Sequence, residues 1–239
     1  MLLGRVATTG GTRWVRRDGD AMIVTADPFS GLAPEDEGAV VAGDLMAPVA
    51  PLVVVGIAQN GPEHPSPVQA WLKNPRTVVA GGKPVALRRD AGAAVAEGEI
   101  CVVIGRATDG LTAAKAHEYV LGITAVNDLS SPERNAHDPR NFESKAGRGY
   151  TPLAPWIDTS AGIDDVELEV DVDGRAVSRT SSRELPVSIR ECLEYASRWM
   201  PLGPGDIVMT GAPYSQAPVH PGQVVTVRVA GTELVTPLL

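Results

Sequence analysis

Glu97-Gly98-Glu99-Ile100-Cys101-Val102-Val103-Ile104-Gly105 is the stretch on which the fold and the chemistry of this chain turn. The apolar run is rich in β-branched residues, which predicts a buried strand. Side chains alternate along a strand, so Glu97 and Glu99, two residues apart, project from the same face. Two carboxylates held side by side at the entrance to a core are costly unless a cation sits between them. The pair predicts a divalent-metal site and calls for a third ligand elsewhere in the chain.

Downstream, 113–118 reads as a short helix with Thr112 as its N-cap, feeding a strand over 119–126 that ends at Asn127-Asp128. Asp128 supplies a third carboxylate, although Asn-Asp after a strand is also an ordinary turn signal. The polar stretch 130–149 lacks periodicity and is long enough to be a functional loop. A hairpin follows, 166–172 and 175–180 joined by Asp173-Gly174. The clearest helix is 188–199, with Ile189, Cys192, Leu193, Ala196 and Trp199 assigned to one face. Strands flanking Gly222 and Gly231 close the chain.

Upstream, 52–57 predicts a strand, followed by a Pro- and Gly-punctuated loop over 59–67 that no regular element accommodates. Short strands at 2–7, 13–16 and 21–24, turning at Gly10-Gly11 and Asp18-Gly19, form a small β module. The Ala-Pro repeats at 47–51 place a boundary there, giving 1–50 as the module and 51–239 as the main domain. The expected fold class is α+β, mainly β.

The chain has 239 residues, a formal net charge of −8, 25 Gly, 20 Pro and 4% aromatics, consistent with a turn-rich, sheet-heavy protein. The acidic balance argues against nucleic acid or an anionic membrane as partner. No segment matches a membrane span or a signal peptide. Cys101 and Cys192 have no metal-type spacing and read as buried thiols, which suggests a reducing, cytoplasmic setting.

Four motifs in order carry a family resemblance: Glu-x-Glu opening an apolar strand; Tyr119-Val-x-Gly-x-Thr-x-x-Asn-Asp128; Lys145 followed by Thr151-Pro-Leu-x-Pro-Trp156; and Thr210-Gly-x-Pro before Pro221-Gly-x-x-Val. Together they resemble the fumarylacetoacetate hydrolase family from about Val53 to the C-terminus. The 135–152 segment resembles its 2-hydroxyhepta-2,4-diene-1,7-dioate isomerase and homoprotocatechuate-pathway decarboxylase branch. The resemblance implies a mixed β-sandwich or β-roll, a homodimer, and Mg²⁺ or Mn²⁺ on Glu97, Glu99 and Asp128. Three carboxylates without His or Cys suit a hard, octahedral cation. Lys145 matches the family lysine that offsets the charge of a small anionic oxo-acid substrate.

The 56–64 segment corresponds to the family's mobile lid, with Asn60 at a substrate-binding position and His64 at the catalytic acid/base position. Hydrolytic members pair that His with a Glu three residues on; here Pro67 stands there, and Glu63 is the adjacent carboxylate. The usual Arg four residues after the metal Asp is Pro132, with Arg134 nearby. In the Thr-Gly-Thr-Pro motif, Thr210 and Gly211 are kept and the second Thr is Ala212. A hydrolase needs a base-activated water, whereas decarboxylation or tautomerisation needs one proton moved beside a metal-stabilised enolate. The expected reaction is therefore decarboxylation or isomerisation of a 2-oxo (enol), dicarboxylate-like acid. A C–C hydrolase of an acylpyruvate or 3-oxo acid is the alternative. A non-catalytic binding member of the fold is the alternative from another class.

Overall fold

The computed structural model describes residues 1–63, 66–138 and 140–239. Among these, the chain is an α+β fold dominated by strands, with one sheet of fourteen strands and one of four. The strand Ala94–Ile104 is the spine of the larger sheet. It pairs antiparallel with Val120–Asn127, with Ile207–Met209 and, through its first half, with Gln216–Val219. The four-stranded sheet runs Arg175–Ser181, Glu167–Val172, Val224–Val229, Thr232–Pro237, each pair antiparallel.

The main core lies where these two sheets meet. Ile100, Val102 and Ile104 of the spine pack there with Val170, Val227 and Leu234. The opposite face of the same strand puts Cys101 and Val103 into a second cluster with Val126, Leu153 and Met209. Strand alternation thus separates the apolar seam from the face that carries Glu97 and Glu99. Gly98 lies on the seam side, where a Cβ would fall 2.5 Å from Val170 Cγ2. The glycine between the two glutamates is required by close approach of the second sheet.

The helix Ile189–Trp199 covers one end of the core with Ile189, Cys192, Leu193 and Ala196. Ser188 and Glu191 close a capping box at its start. Trp199 departs from the expected face and is 75% exposed. Val6, Val15 and Val24 form a small cluster with Trp156, and Leu2–Thr8 joins the large sheet by pairing with Trp156–Asp158.

Two local expectations change. Ala113–Tyr119 is a 3₁₀ helix, and Thr112 makes no side-chain cap bond. The 130–149 stretch is not irregular throughout: Pro132–Ala136 forms a 3₁₀ turn and Phe142–Lys145 one helical turn. In that turn Asp138 caps the Glu143 and Ser144 amides, which directs Lys145 inward. No helix among the described residues is long and apolar enough to cross a membrane.

Candidate metal centre and substrate cleft

Glu97, Glu99 and Asp128 come together, each offering an oxygen within 4.8 Å of the others. The register explains the convergence. Val126 faces Glu99 and Asn127 faces Gly98, so Asp128 emerges beside Glu97, whose carbonyl accepts the Asp128 amide at 2.8 Å. Glu99 and Asp128 are buried at 4% and 2% exposure, and the site forms the floor of a cleft of about 520 Å³.

Two ammonium groups hold the carboxylates together. Lys145 Nζ donates to Glu97 Oε1 at 2.7 Å and to Asp128 Oδ2 at 2.6 Å. Lys73 Nζ donates to Asp128 Oδ1 and to the Tyr150 carbonyl at 2.6 Å. Ser130 Oγ donates to Glu97 Oε1 at 2.6 Å, and the Gly211 amide to Glu99 Oε2 at 2.7 Å. Burial, then repulsion from Asp128 and Glu97, pushes the Glu99 carboxyl well above its ordinary pKa. Burial works the same way on Asp128, but Lys145 and Lys73 outweigh it and hold its pKa down. The Lys145 ammonium loses hydration yet is held charged by Asp128 and the two glutamates.

A carboxyl driven towards its neutral form by burial and by two neighbouring carboxylates marks a place that demands positive charge. The donors are hard oxygens, with no His or Cys among them, and they fit a divalent cation.

The remaining expected residues separate into two groups. Glu63, Gly211 and Ala212 line the cleft. Asn60 also borders it, but its polar atoms are spent on backbone: its amide donates to the Val187 and Thr210 carbonyls at 2.9 and 2.8 Å, and its oxygen accepts from the Val187 amide. It staples the root of the 59–67 loop. A Cβ on Gly211, whose φ is +102°, would fall 2.5 Å from the Asn60 carbonyl, so this contact needs glycine. Thr210 Oγ1 donates to the Ile100 carbonyl inside the sheet. Arg134 is turned to Glu143 and is not on the cleft wall. His64 lies outside the described residues.

Two residues went unread in the sequence. Lys73 is fully buried behind Asp128, and Trp71, two residues earlier on the strand Ala70–Lys73, walls the cleft with its ring 5.5 Å from Lys145 Nζ. The available signal was alternation: in Ala70-Trp71-Leu72-Lys73, Trp71 and Lys73 share one face. Gly56 makes room for the indole, because a Cβ there would meet it at 2.4 Å.

With this geometry, the chain belongs to the fumarylacetoacetate hydrolase family: residues 41–237 match the fumarylacetoacetate (FAA) hydrolase C-terminal model. It is similar to a 4-hydroxyphenylacetate degradation bifunctional isomerase/decarboxylase of Salmonella dublin, 34% identical over 56% of this chain and 32% of that protein. It is also similar to a maleylpyruvate hydrolase of Aquipseudomonas alcaligenes, 29% identical over 66% of this chain and 55% of that protein. The solved structure of 2-hydroxyhepta-2,4-diene-1,7-dioate isomerase from Mycobacterium marinum superposes with a TM-score of 0.92 at 27% identity, covering 100% of this chain and 98% of that one. The chain is an enzyme of this family, with isomerase/decarboxylase and hydrolase relatives.

Proposed function

We propose that this enzyme is a divalent-metal-dependent decarboxylase or isomerase that forms an enolate from a 2-oxo (enol) carboxylic acid. Mg²⁺ or Mn²⁺ would be held by Glu97, Glu99 and Asp128. The observation that carries the reading is the carboxylate triad lining an open cleft, with Glu99 and Asp128 buried and the Glu99 carboxyl driven up by burial and then by Asp128 and Glu97. When bound, the cation supplies Lewis-acid polarisation of the 2-oxo group and compensates the charge developing on its oxygen.

The chain's residues supply the rest. Lys145, fixed between Glu97 and Asp128, sets a positive charge against the incoming carboxylate. Lys73 locks Asp128 from behind. Trp71 closes one wall, and Ala212 presents a methyl where the family pattern has a hydroxyl. Glu63 lines the cleft and is the described carboxylate outside the triad that can take or return a proton. Pro67 stands where hydrolytic members place the Glu partner of the lid His, which favours a one-proton reaction over activation of an attacking water. The reading places the enzyme as a homodimer in the cytoplasm, where Cys101 and Cys192 stay as thiols.

Glu63 also supports a second reading. A carboxylate on the cleft wall could activate water for C–C hydrolysis of an acylpyruvate. Product analysis separates the two. Oxaloacetate, acylpyruvates and hydroxymuconate-type acids, incubated with the Mg²⁺-loaded enzyme, should yield CO₂ or an isomer, with acylpyruvate cleavage slow beside it. Efficient acylpyruvate cleavage, with no CO₂ or isomer from any acid tried, would reverse the order.

A further inference from the structure

Resting on the isomerase arm of the 2-oxo-acid reading, since loss of CO₂ onto the enolate would need a second carboxylate, we infer that the substrate carries a single carboxylate and a neutral, hydrogen-bonding tail. This departs from the dicarboxylate-like acid that the sequence suggested. The departure follows from the lining of the cleft away from the carboxylate triad. That wall carries four uncharged amides, Gln59, Gln69, Asn135 and Asn141, with Glu63 and the apolar Trp71, while a fifth amide, Gln216, lies across from Glu97 on the neighbouring strand. Lys145 is the cation on the wall among the described residues, and its ammonium is engaged with Glu97 and Asp128.

The charges can be counted. Four carboxylates (Glu63, Glu97, Glu99, Asp128) face the ammonium groups of Lys145 and Lys73, and a divalent cation brings the set to neutrality. One substrate carboxylate, chelated with its 2-oxo group, leaves the cleft at −1. A second would leave it at −2, beside Glu63 and without an ion partner among the described residues, after losing part of its hydration. Arg134, the arginine near the position where the family pattern has one, is bound to Glu143 off the wall. Amides both donate and accept, so they match a hydroxyl, ketone, ester or amide and gain nothing from a full charge. Asn135 and Gln216 make no side-chain hydrogen bond to another described residue, so their groups face the cleft uncommitted. At about 520 Å³ the cleft is large enough to enclose a small ligand whole.

The test compares two ligands differing in one charge: 2-oxoadipate and its 6-methyl monoester. Each is titrated by calorimetry into the Mg²⁺-loaded protein, with oxalate, an enolate mimic, as reference. The monoester should bind at least about tenfold more tightly than the diacid, since uncompensated like charge is the penalty, and the gap should narrow as salt rises. Asn135→Arg, which places a cation on the wall, should erase or invert the preference. Equal or tighter binding of the diacid by the wild-type protein overturns the inference, as does binding of neither acid while oxalate still binds. An unchanged preference in Asn135→Arg also counts against it. If oxalate too fails to bind the metal-loaded protein, the 2-oxo-acid reading itself falls.

Discussion

Replacing Glu99 by Gln removes one charge from the metal site and leaves the local hydrogen bond in place. Glu99 is 4% exposed and accepts one bond, from the Gly211 amide at 2.7 Å, which the Gln carbonyl can still accept. Without metal, the variant should fold as stably as wild type or more so, because the lost charge was repelled by Asp128 and Glu97. The difference appears when metal is added. A ligand at 100 times its Kd stabilises the folded state by about 2.7 kcal/mol. For a chain of this length each kcal/mol raises Tm by about 2–4 °C, so wild type should gain about 5–11 °C. Losing a direct ligand costs at least the ~10–100-fold in affinity that losing an outer partner does. A hundredfold loss puts the same metal concentration at Kd, where the gain is about 0.4 kcal/mol, or about 1–2 °C. Thermal melts of both proteins at pH 8, with and without Mg²⁺ or Mn²⁺, measure this directly. Equal metal-induced shifts in Glu99→Gln and wild type, or none in wild type, would refute the reasoning.

Lys73→Met removes one of the two buried ammonium partners of Asp128 and leaves Lys145 in place, so urea unfolding of the variant should show a loss of about 1–3 kcal/mol; no loss would mean that Lys73 is not what fixes Asp128. Gly98→Ala drives a methyl against Val170 where the sheets meet, and calorimetric melting should show destabilisation of about 1–3 kcal/mol with the carboxylates untouched; unchanged stability would mean that the sheets part easily there. Metal stabilisation should grow with pH. Glu99 has a raised folded-state pKa, so its contribution in the metal-free protein is fully present below the unfolded value near ~4.3 and is lost as pH climbs through the folded value. Asp128, with a lowered pKa, keeps its contribution at neutral pH and loses it in acid. The Tm gain from Mg²⁺ should therefore be larger at pH 8 than at pH 5.5, and a gain independent of pH would contradict the raised Glu99 carboxyl.

Local rules made part of the site legible and left the rest hidden. Glu97 and Glu99 could be paired from the sequence because strand alternation is strict, and Asp128 could be added because it ends the next strand. Lys73 could not be found this way. It sits 55 residues before Asp128, and a lone lysine closing a four-residue strand looks solvated until the fold buries it. The glycine between the glutamates could not be explained without the second sheet, whose approach depends on residues more than seventy positions downstream. Asn60, Thr210 and Arg134 sat at plausible positions, but a position says nothing of where polar atoms are spent; here they go to backbone carbonyls and to Glu143. Trp199 belonged to the apolar pattern of its helix, yet it lies exposed at the edge of a shallow groove shared with Ala70 and Leu72. The two helical turns within 130–149 escaped because, at five and four residues, neither is long enough to repeat an amphipathic pattern.

The central claim is that Glu97, Glu99 and Asp128, with a divalent cation, stabilise an enolate of a 2-oxo acid. Proton exchange measures that without requiring the natural substrate. With 2-oxobutanoate in D₂O, proton NMR of the C3 signal should show exchange that needs both the enzyme and Mg²⁺ and is abolished in Glu99→Gln. Exchange no faster than with Mg²⁺ alone, or exchange that survives the loss of the Glu99 carboxylate, would contradict the account.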